Sequence, residues 1–288
     1  MKRLLFFISI ISIAIFNSHA ISLNNVKFHN EETDTTRITQ ILNDAYNAKL
    51  NSPNERVGYI ARKFLGLPYV AHTLEGDTEM LTINIDELDC TTFVETVIAM
   101  AYTVGEGRTS WRDYVRNLEN IRYRDGKLNG YTSRLHYISD WIINNSHRGN
   151  FQEVTDMFPS FNYKVKTIDF MTSHRKSYKS LADDAEFEKM KNIEIGFHNH
   201  RFPYIKSAAI RSKSVRNELR DGDIIALTTN INGLDVSHMG LIAIVDGVPH
   251  LMHASMKAMK VIIDPQPLHK YLANSKSLSG IRVIRLNN

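Results

Sequence analysis

The sequence predicts an α+β protein in which helices come first and the strands of an antiparallel sheet follow. Two observations carry this prediction. Over residues 36–65 and again over 90–105, apolar residues recur at the spacing of amphipathic helices. From residue 223 onwards, short apolar runs alternate with turn residues, which is typical of strands joined by hairpins. The sequence shows no internal repeat and no low-complexity linker.

The first twenty residues have the three parts of a secretory signal. A positive head (residues 1–3) precedes an apolar stretch (residues 4–16), and small residues at 18 and 20 form a cleavage pattern. We therefore predict a signal peptide over 1–20 and a single domain over 21–288, exported to the periplasm and not inserted in the membrane after cleavage. An uncleaved anchor is the alternative, although an apolar helix of this length rises only about 20 Å.

Residues 36–65 predict two helices, separated where Pro53 marks the start of the second. The polar residues 21–36 before them predict a loose leader, and Gly66 ends the second helix. The clearest helix starts at Cys90.

Three features define that helix. Asp89 is a suitable N-cap, an apolar face follows Cys90, and Gly105 stands where a C-cap belongs. Further helices are predicted over 111–120 and 136–145.

The middle of the chain, about 150–215, gives no clear periodicity, whereas the last part predicts strands. These cover residues 223–228, 238–245, 248–255, 261–263 and 280–286. If Asp246 and Gly247 form a two-residue turn, His253 lies opposite Gly240. His238 is then a diagonal neighbour of His253 on the same face of the hairpin, close enough for one imidazole to orient the other.

Composition excludes several classes of protein. The 35 basic and 31 acidic residues give a formal charge of +4, too small a bias to indicate a nucleic-acid partner. A single cysteine excludes an internal disulfide and a cysteine-rich zinc module. The pair His198 and His200 is a weak metal motif, so we predict no metal site.

Cys90 combines the residue type and the position of a nucleophile. Unpaired N–H groups at a helix N-terminus favour a thiolate and could donate to an oxyanion. The alternative is a small, inert cysteine on an apolar helix face.

Five segments, in order along the chain, resemble the motifs of the NlpC-type cell-wall cysteine hydrolases. They are 66–69 (GLPY), 88–94 (LDCTTFV), 222–225 (GDII), 238–242 (HMGLI) and 253–255 (HAS). Two longer segments, 131–141 (YTSRLHYISDW) and 233–240 (GLDVSHMG), look like the bacterial N-acetylmuramoyl-L-alanine amidase-like branch of that superfamily. The resemblance covers about residues 55–285.

The resemblance implies a papain-like fold, with the nucleophile helix packed on the C-terminal sheet and a long helical and mixed insertion at about 105–220. It implies Cys90 as nucleophile, His238 as general base and His253 as the residue that orients the base. No metal or organic cofactor is needed for this chemistry.

Eight further residues are candidates for binding substrate, and each has a structural alternative. Tyr69 could donate to an oxyanion, Asp89 could bind an amine or only cap its helix, and Arg134 could pair with a peptide carboxylate. The full set is Tyr69, Asp89, Thr91, Arg134, His136, Tyr137, Asp235 and Ser237.

By resemblance, the expected reaction is hydrolysis of the amide between N-acetylmuramic acid and L-Ala in peptidoglycan fragments, with soluble 1,6-anhydro muropeptides as one expected substrate. Two alternatives stay open: an endopeptidase that cuts after γ-D-glutamate, and a non-catalytic wall-binding module. The sequence leaves the oligomeric state open.

Overall fold

The computed structural model describes residues 23–287, so the predicted signal peptide, 1–20, lies outside the described residues. Within them, helices occupy the first half and most strands the second, as predicted. The helices are α1 (Glu31–Asn47), α2 (Pro53–Arg62), α3 (Cys90–Gly105), α4 (Trp111–Arg122), α5 (Ile138–His147), α6 (Phe170–Ser173), α7 (Asp184–Ile195), α8 (Lys213–Arg216) and α9 (Leu268–Ala273).

The strands form one large antiparallel sheet and one small parallel pair. They are β1 (Val26–Phe28), β2 (Leu81–Ile83), β3 (Phe151–Glu153), β4 (Phe161–Lys166), β5 (His200–Lys206), β6 (Ile224–Thr229), β7 (Val236–Val245), β8 (Val248–Ser255), β9 (Lys260–Pro267) and β10 (Leu278–Leu286). The eight-stranded sheet has the order β4-β5-β10-β6-β7-β8-β9, with β3 also paired to β10. The pair β1–β2 is parallel.

The predicted loose leader is wrong from Val26 onwards, because β1 and the first turns of α1 lie within it. Asn30 caps α1 by accepting a hydrogen bond from the Thr33 N–H. Acidic residues then fill the first turn, where the helix dipole favours negative charge. The apolar periodicity begins only at Ile38, so it could not reveal this polar helix start.

Helix α3 begins as predicted. The Asp89 carboxylate accepts hydrogen bonds from the N–H groups of Thr91 and Thr92, and the Thr92 hydroxyl accepts one from the Asp89 N–H. This capping box fixes the first turn, which carries Cys90. The predicted C-cap at Gly105 is wrong: α3 includes Gly105, Glu106 is the cap, and Gly107 takes the positive φ of 72°.

The hairpin β7–β8 has the predicted register. Leu241 pairs with Met252, and the turn at Asp246 and Gly247 has positive φ at both residues. The ladder stops at Leu241 and Met252, although both strands continue. Beyond this pair the strands stay close, because a Cβ on Gly240 would lie 3.0 Å from the His253 Cβ.

Two apolar clusters cover the two faces of the large sheet. The larger cluster joins α1 to α5 with one face, and α3 packs on β7 and β8. The smaller cluster covers the other face and includes residues of α9. The arrangement packs α3, whose first residue is Cys90, against the two strands that carry the histidines.

The predicted insertion, 105–220, contributes strands β3, β4 and β5 to the same sheet. A third apolar cluster lies in this part of the chain, and the buried Glu194 carboxylate anchors it by accepting hydrogen bonds from Tyr137 and Thr172. None of the helices in residues 23–287 is both long and apolar enough to traverse a lipid bilayer.

Candidate active site

Cys90 lies at the first residue of α3 and is partly exposed. The backbone of Met239, the residue after His238, lies close enough to the thiol to lower its pKa. The Thr91 hydroxyl lies 3.9 Å from the same sulfur. Helix α3 thus brings the thiol to the strand that carries the candidate base.

His238 and His253 form a hydrogen-bonded pair. His238 Nε2 lies 2.6 Å from His253 Nδ1, and the two rings are almost perpendicular, at 87°. Gly240 makes this pair possible, since a Cβ at that position would lie 3.0 Å from the His253 Cβ and 2.8 Å from the Met252 carbonyl oxygen. The remaining nitrogen of His238, Nδ1, is not used in this bond.

Both sides of the nucleophile–base pair are neutral at pH 7. Desolvation, followed by repulsion from Asp89, raises the pKa of the Cys90 thiol to about 11. Burial lowers the pKa of His238 to about 4, and burial and the neighbouring His238 lower that of His253 to about 3. The expected thiolate is therefore not the resting form, because desolvation outweighs the hydrogen bonds at the helix N-terminus. The thiol must lose its proton during attack.

We expect the neutral histidine pair to make stability depend on pH. The folded pKa values lie below the ordinary 6.5, so the unfolded chain binds protons first as the pH falls from 6.5 towards 4. Each histidine that protonates only on unfolding removes up to about 1.4 kcal/mol per pH unit. Urea denaturation at pH 7 and pH 5 measures the loss.

Two variants make that measurement specific. A double variant, His238→Gln with His253→Gln, should show a smaller loss between pH 7 and pH 5. His147→Gln, which removes an exposed histidine, should behave like the unmodified chain. An unchanged pH dependence in the double variant would contradict a neutral, buried pair.

Tyr69 and Asp89 both lie near the thiol. Burial raises the pKa of Tyr69, and the charges of Cys90 and Asp89 raise it further, so its hydroxyl stays protonated and can donate. Asp89 is the N-cap of α3 and its Oδ1 already accepts hydrogen bonds from Thr91 and Thr92. The structure therefore shows Asp89 as a cap, while the raised pKa of Tyr69 keeps its hydroxyl a hydrogen-bond donor.

A cleft of about 150 Å³ opens beside Asp89 and Thr91. Three carboxylates line it, and all three have partners: Asp89 caps α3, Glu75 binds Arg134, and Glu95 binds Arg122 at 2.7 Å. The Glu95–Arg122 ion pair is buried.

Arg134 lines this cleft but is not a free cation. It is buried and lies 2.8 Å from Glu75 and 3.2 Å from Glu79. A peptide carboxylate would therefore have to compete with two protein carboxylates for Arg134. His136 also lines the cleft, where burial followed by the charge of Arg134 lowers its pKa well below the ordinary value.

Four of the eight predicted binding residues, Tyr69 and three others, do not line this cleft. Tyr137 is buried, and its hydroxyl donates to Glu194. Asp235 is buried and accepts a hydrogen bond from the Ser139 N–H in the first turn of α5, a helix whose own N-cap residue makes no capping bond. Ser237 is exposed on β7, where alternation turns it away from its neighbour His238.

Within residues 23–287, no three His, Cys, Asp or Glu side chains are arranged to hold a metal ion. His198 contacts the Asn199 amide, and His200 packs between Phe197 and Phe202.

The sequence did not reveal two neighbours of His253. The ring of Tyr271, on α9, packs edge-on against His253 at 5.6 Å. Asp264 Oδ2 lies 3.9 Å from His253 Nε2. The predicted strand ended at residue 263, one residue before Asp264, and no signal in the sequence marked the shift of register that follows.

Comparisons with known proteins give consistent matches. A family model described as AmiA-like, N-acetylmuramoyl-L-alanine amidase-like, matches residues 59–281. The crystal structure of an N-acetylmuramoyl-L-alanine amidase from Bacteroides uniformis is 42% identical, with 82% of this chain and 99% of that chain covered and a TM-score of 0.78.

Two further structures are similar. One from Bacteroides fragilis, with a provisional xylanase description, is 43% identical, with 78% of this chain and 98% of that chain covered and a TM-score of 0.74. Protein LPG0564 from Legionella pneumophila is 22% identical, with 89% of this chain and 96% of that chain covered. Its TM-score is 0.68, and it shares the fold. Among curated proteins, none matches the chain.

Proposed function

The chain belongs to the AmiA-like family of N-acetylmuramoyl-L-alanine amidase-like proteins, and from that membership we propose that it is a cysteine amidase of peptidoglycan fragments. The family and the neighbours named as amidases support a cell-wall hydrolase with a peptidoglycan-type substrate. The proposed bond is the amide between the lactyl group of N-acetylmuramic acid and L-Ala. A papain-like NlpC-type ancestry and export to the periplasm are parts of the same proposal.

One observation carries the mechanism: the thiol at the start of α3 lies beside a strand whose histidine is hydrogen-bonded to a second histidine. His238 Nδ1 removes the proton from Cys90 as the sulfur attacks the carbonyl carbon. The Cys90 N–H and the Tyr69 hydroxyl would stabilise the oxyanion. His238 then protonates the leaving amine, and a thioester remains on Cys90.

The second half returns the enzyme to its resting form. His238 removes a proton from water, which attacks the thioester and releases the muramic acid carboxylate. The thiol regains its proton. Because the thiol and imidazole both begin neutral, general-base catalysis is required in the first step.

A glycosidase reaction, suggested by the provisional description of the Bacteroides fragilis structure, has less support from the site. Glycoside hydrolysis commonly needs one carboxylic acid and one carboxylate that are both available to the substrate. In this cleft the carboxylates of Glu75 and Glu95 are held by arginines, and that of Asp89 caps a helix.

Mass spectrometry of a defined disaccharide-tetrapeptide and its 1,6-anhydro form, incubated with the full chain, tests the proposal. We expect free disaccharide and intact stem peptide. A disaccharide that retains L-Ala-D-Glu would instead identify a γ-D-glutamyl endopeptidase, and cleavage between sugars a glycosidase. Binding without turnover would favour a wall-binding module. Faster turnover of the anhydro form would identify soluble fragments as the substrate.

A further inference from the structure

Three polar side chains lie on neighbouring strands: His238 on β7, His253 on β8 and Asp264 on β9. Strand β9 pairs regularly with β8 up to Ile263, and then its register shifts by the time it reaches Pro267. Asp264 begins this bulge. Bulges redirect side chains and are common beside active sites.

The Asp264 carboxylate lies near one of the two ring nitrogens of His253. His253 Nδ1 is used by His238, while Nε2 is buried and has no hydrogen-bond partner among residues 23–287. Asp264 Oδ2, at 3.9 Å, is the carboxylate oxygen that faces this nitrogen. The other oxygen, Oδ1, accepts the Gln266 N–H at 2.8 Å, which fixes the orientation of the carboxylate.

The hydrogen bond between the two histidines links their tautomers, so the nitrogen that carries the proton in one ring decides which nitrogen carries it in the other. For His238 Nδ1 to accept the thiol proton, His238 must carry its own proton on Nε2 and donate it to His253 Nδ1. His253 Nδ1 must then be unprotonated, so the proton of His253 lies on Nε2. A carboxylate is an acceptor only, and it stabilises this tautomer of His253 and no other neutral one.

We propose that Asp264 is a positioning residue that sets the tautomers of His253 and His238, and thereby keeps Nδ1 of His238 basic. The order is Asp264 to His253 to His238 to Cys90. Asp264 touches neither the thiol nor the scissile bond, and its effect passes through two imidazoles. The activity readout of this inference rests on the proposed function, and the tautomer readout does not.

The anchoring by Gln266 leads to an unusual expectation for two variants. In Asp264→Asn, the amide oxygen is needed by the Gln266 N–H, so the new NH₂ group faces His253 Nε2. A donor there places the His253 proton on Nδ1, and His238 is then protonated on Nδ1 and is no longer a base. In Asp264→Ala, the side chain at position 264 no longer contains a hydrogen-bond donor or acceptor. Nothing there then forces the His253 proton onto Nδ1.

We therefore expect the isosteric change to be the more harmful one. Asp264→Asn should lower kcat at least about 100-fold with little change in KM, as a wrong tautomer does in a triad, and Asp264→Ala should lower it less than about 10-fold. A purely structural role predicts the opposite order, because asparagine keeps the shape and the Gln266 contact. Asp246→Asn, the same change at the exposed turn between β7 and β8, should match the unmodified chain.

Nitrogen-15 NMR of histidine-labelled full-length chain gives the second readout. We expect His253 to be protonated on Nε2 in the unmodified chain and on Nδ1 in Asp264→Asn. An Nδ1-protonated His253 in the unmodified chain would overturn the proposal, as would a loss in Asp264→Ala equal to or greater than that in Asp264→Asn. If the chain turns over no muropeptide, the proposed function fails, and the tautomers still decide this inference.

Discussion

Replacing Cys90 by alanine should lower kcat/KM for muropeptide hydrolysis by about 10⁴-fold or more. The thioester cannot form without the sulfur, and water alone would have to attack an amide that no other group activates. The helix should survive, because alanine is a good helix former and the capping bonds of Asp89 do not involve the Cys90 side chain. Product formation by mass spectrometry measures the loss.

A matched control keeps this result interpretable. Thr91→Ser retains the hydroxyl 3.9 Å from the sulfur and the helical first turn, and should retain activity within about threefold. A thermal midpoint close to that of the unmodified chain shows that Cys90→Ala is folded. Activity in Cys90→Ala at one-tenth of the normal rate would exclude a covalent route through this residue.

Replacing His238 by alanine should lower kcat by about 10³-fold at pH 7, the range expected for loss of a general base. In this variant the rate should rise with pH, since the thiol loses its proton only as the pH approaches about 11. The unmodified chain, whose base is neutral above a pKa of about 4, should show a flat rate from pH 6 to 8. Steady-state kinetics across this pH range measure the difference.

His253→Ala serves as the comparison. It removes the acceptor 2.6 Å from His238 Nε2 and leaves the base itself, so the loss should be smaller than in His238→Ala, about 10-fold to 100-fold. His253→Gln, which keeps an acceptor, should recover part of it. A loss in His253→Ala as large as in His238→Ala would mean that the two roles are wrongly assigned.

Local signals predicted the parts of the site that depend on short stretches of chain. The turn at Asp246 and Gly247 needs positive φ, which sets the register of the hairpin and with it the pairing of His238 and His253. Likewise, Asp89 at the start of an apolar helix is a local pattern, and the structure confirms it.

Other features depend on residues that are distant in the sequence. Arg134 became an ion-pair partner because the loop carrying Glu75 and Glu79 folds onto it. Asp235 accepts a hydrogen bond from the N–H of Ser139, a helix residue almost one hundred positions earlier in the sequence. No periodicity or spacing shows such contacts. The raised pKa of Cys90 also depends on residues that are distant in the sequence, because they pack around the thiol and remove it from water.

The position of β10 in the sheet has a consequence for synthesis of the protein. This strand lies between β5 and β6 and also pairs with β3, although it is the last strand of the described chain. A ribosome releases β5 and β6 long before residues 278–286, so both strands emerge with an open edge and no partner on that side. The sheet can close only after these residues have emerged, and until then the nascent chain depends on chaperones or on remaining unfolded to avoid pairing with other chains.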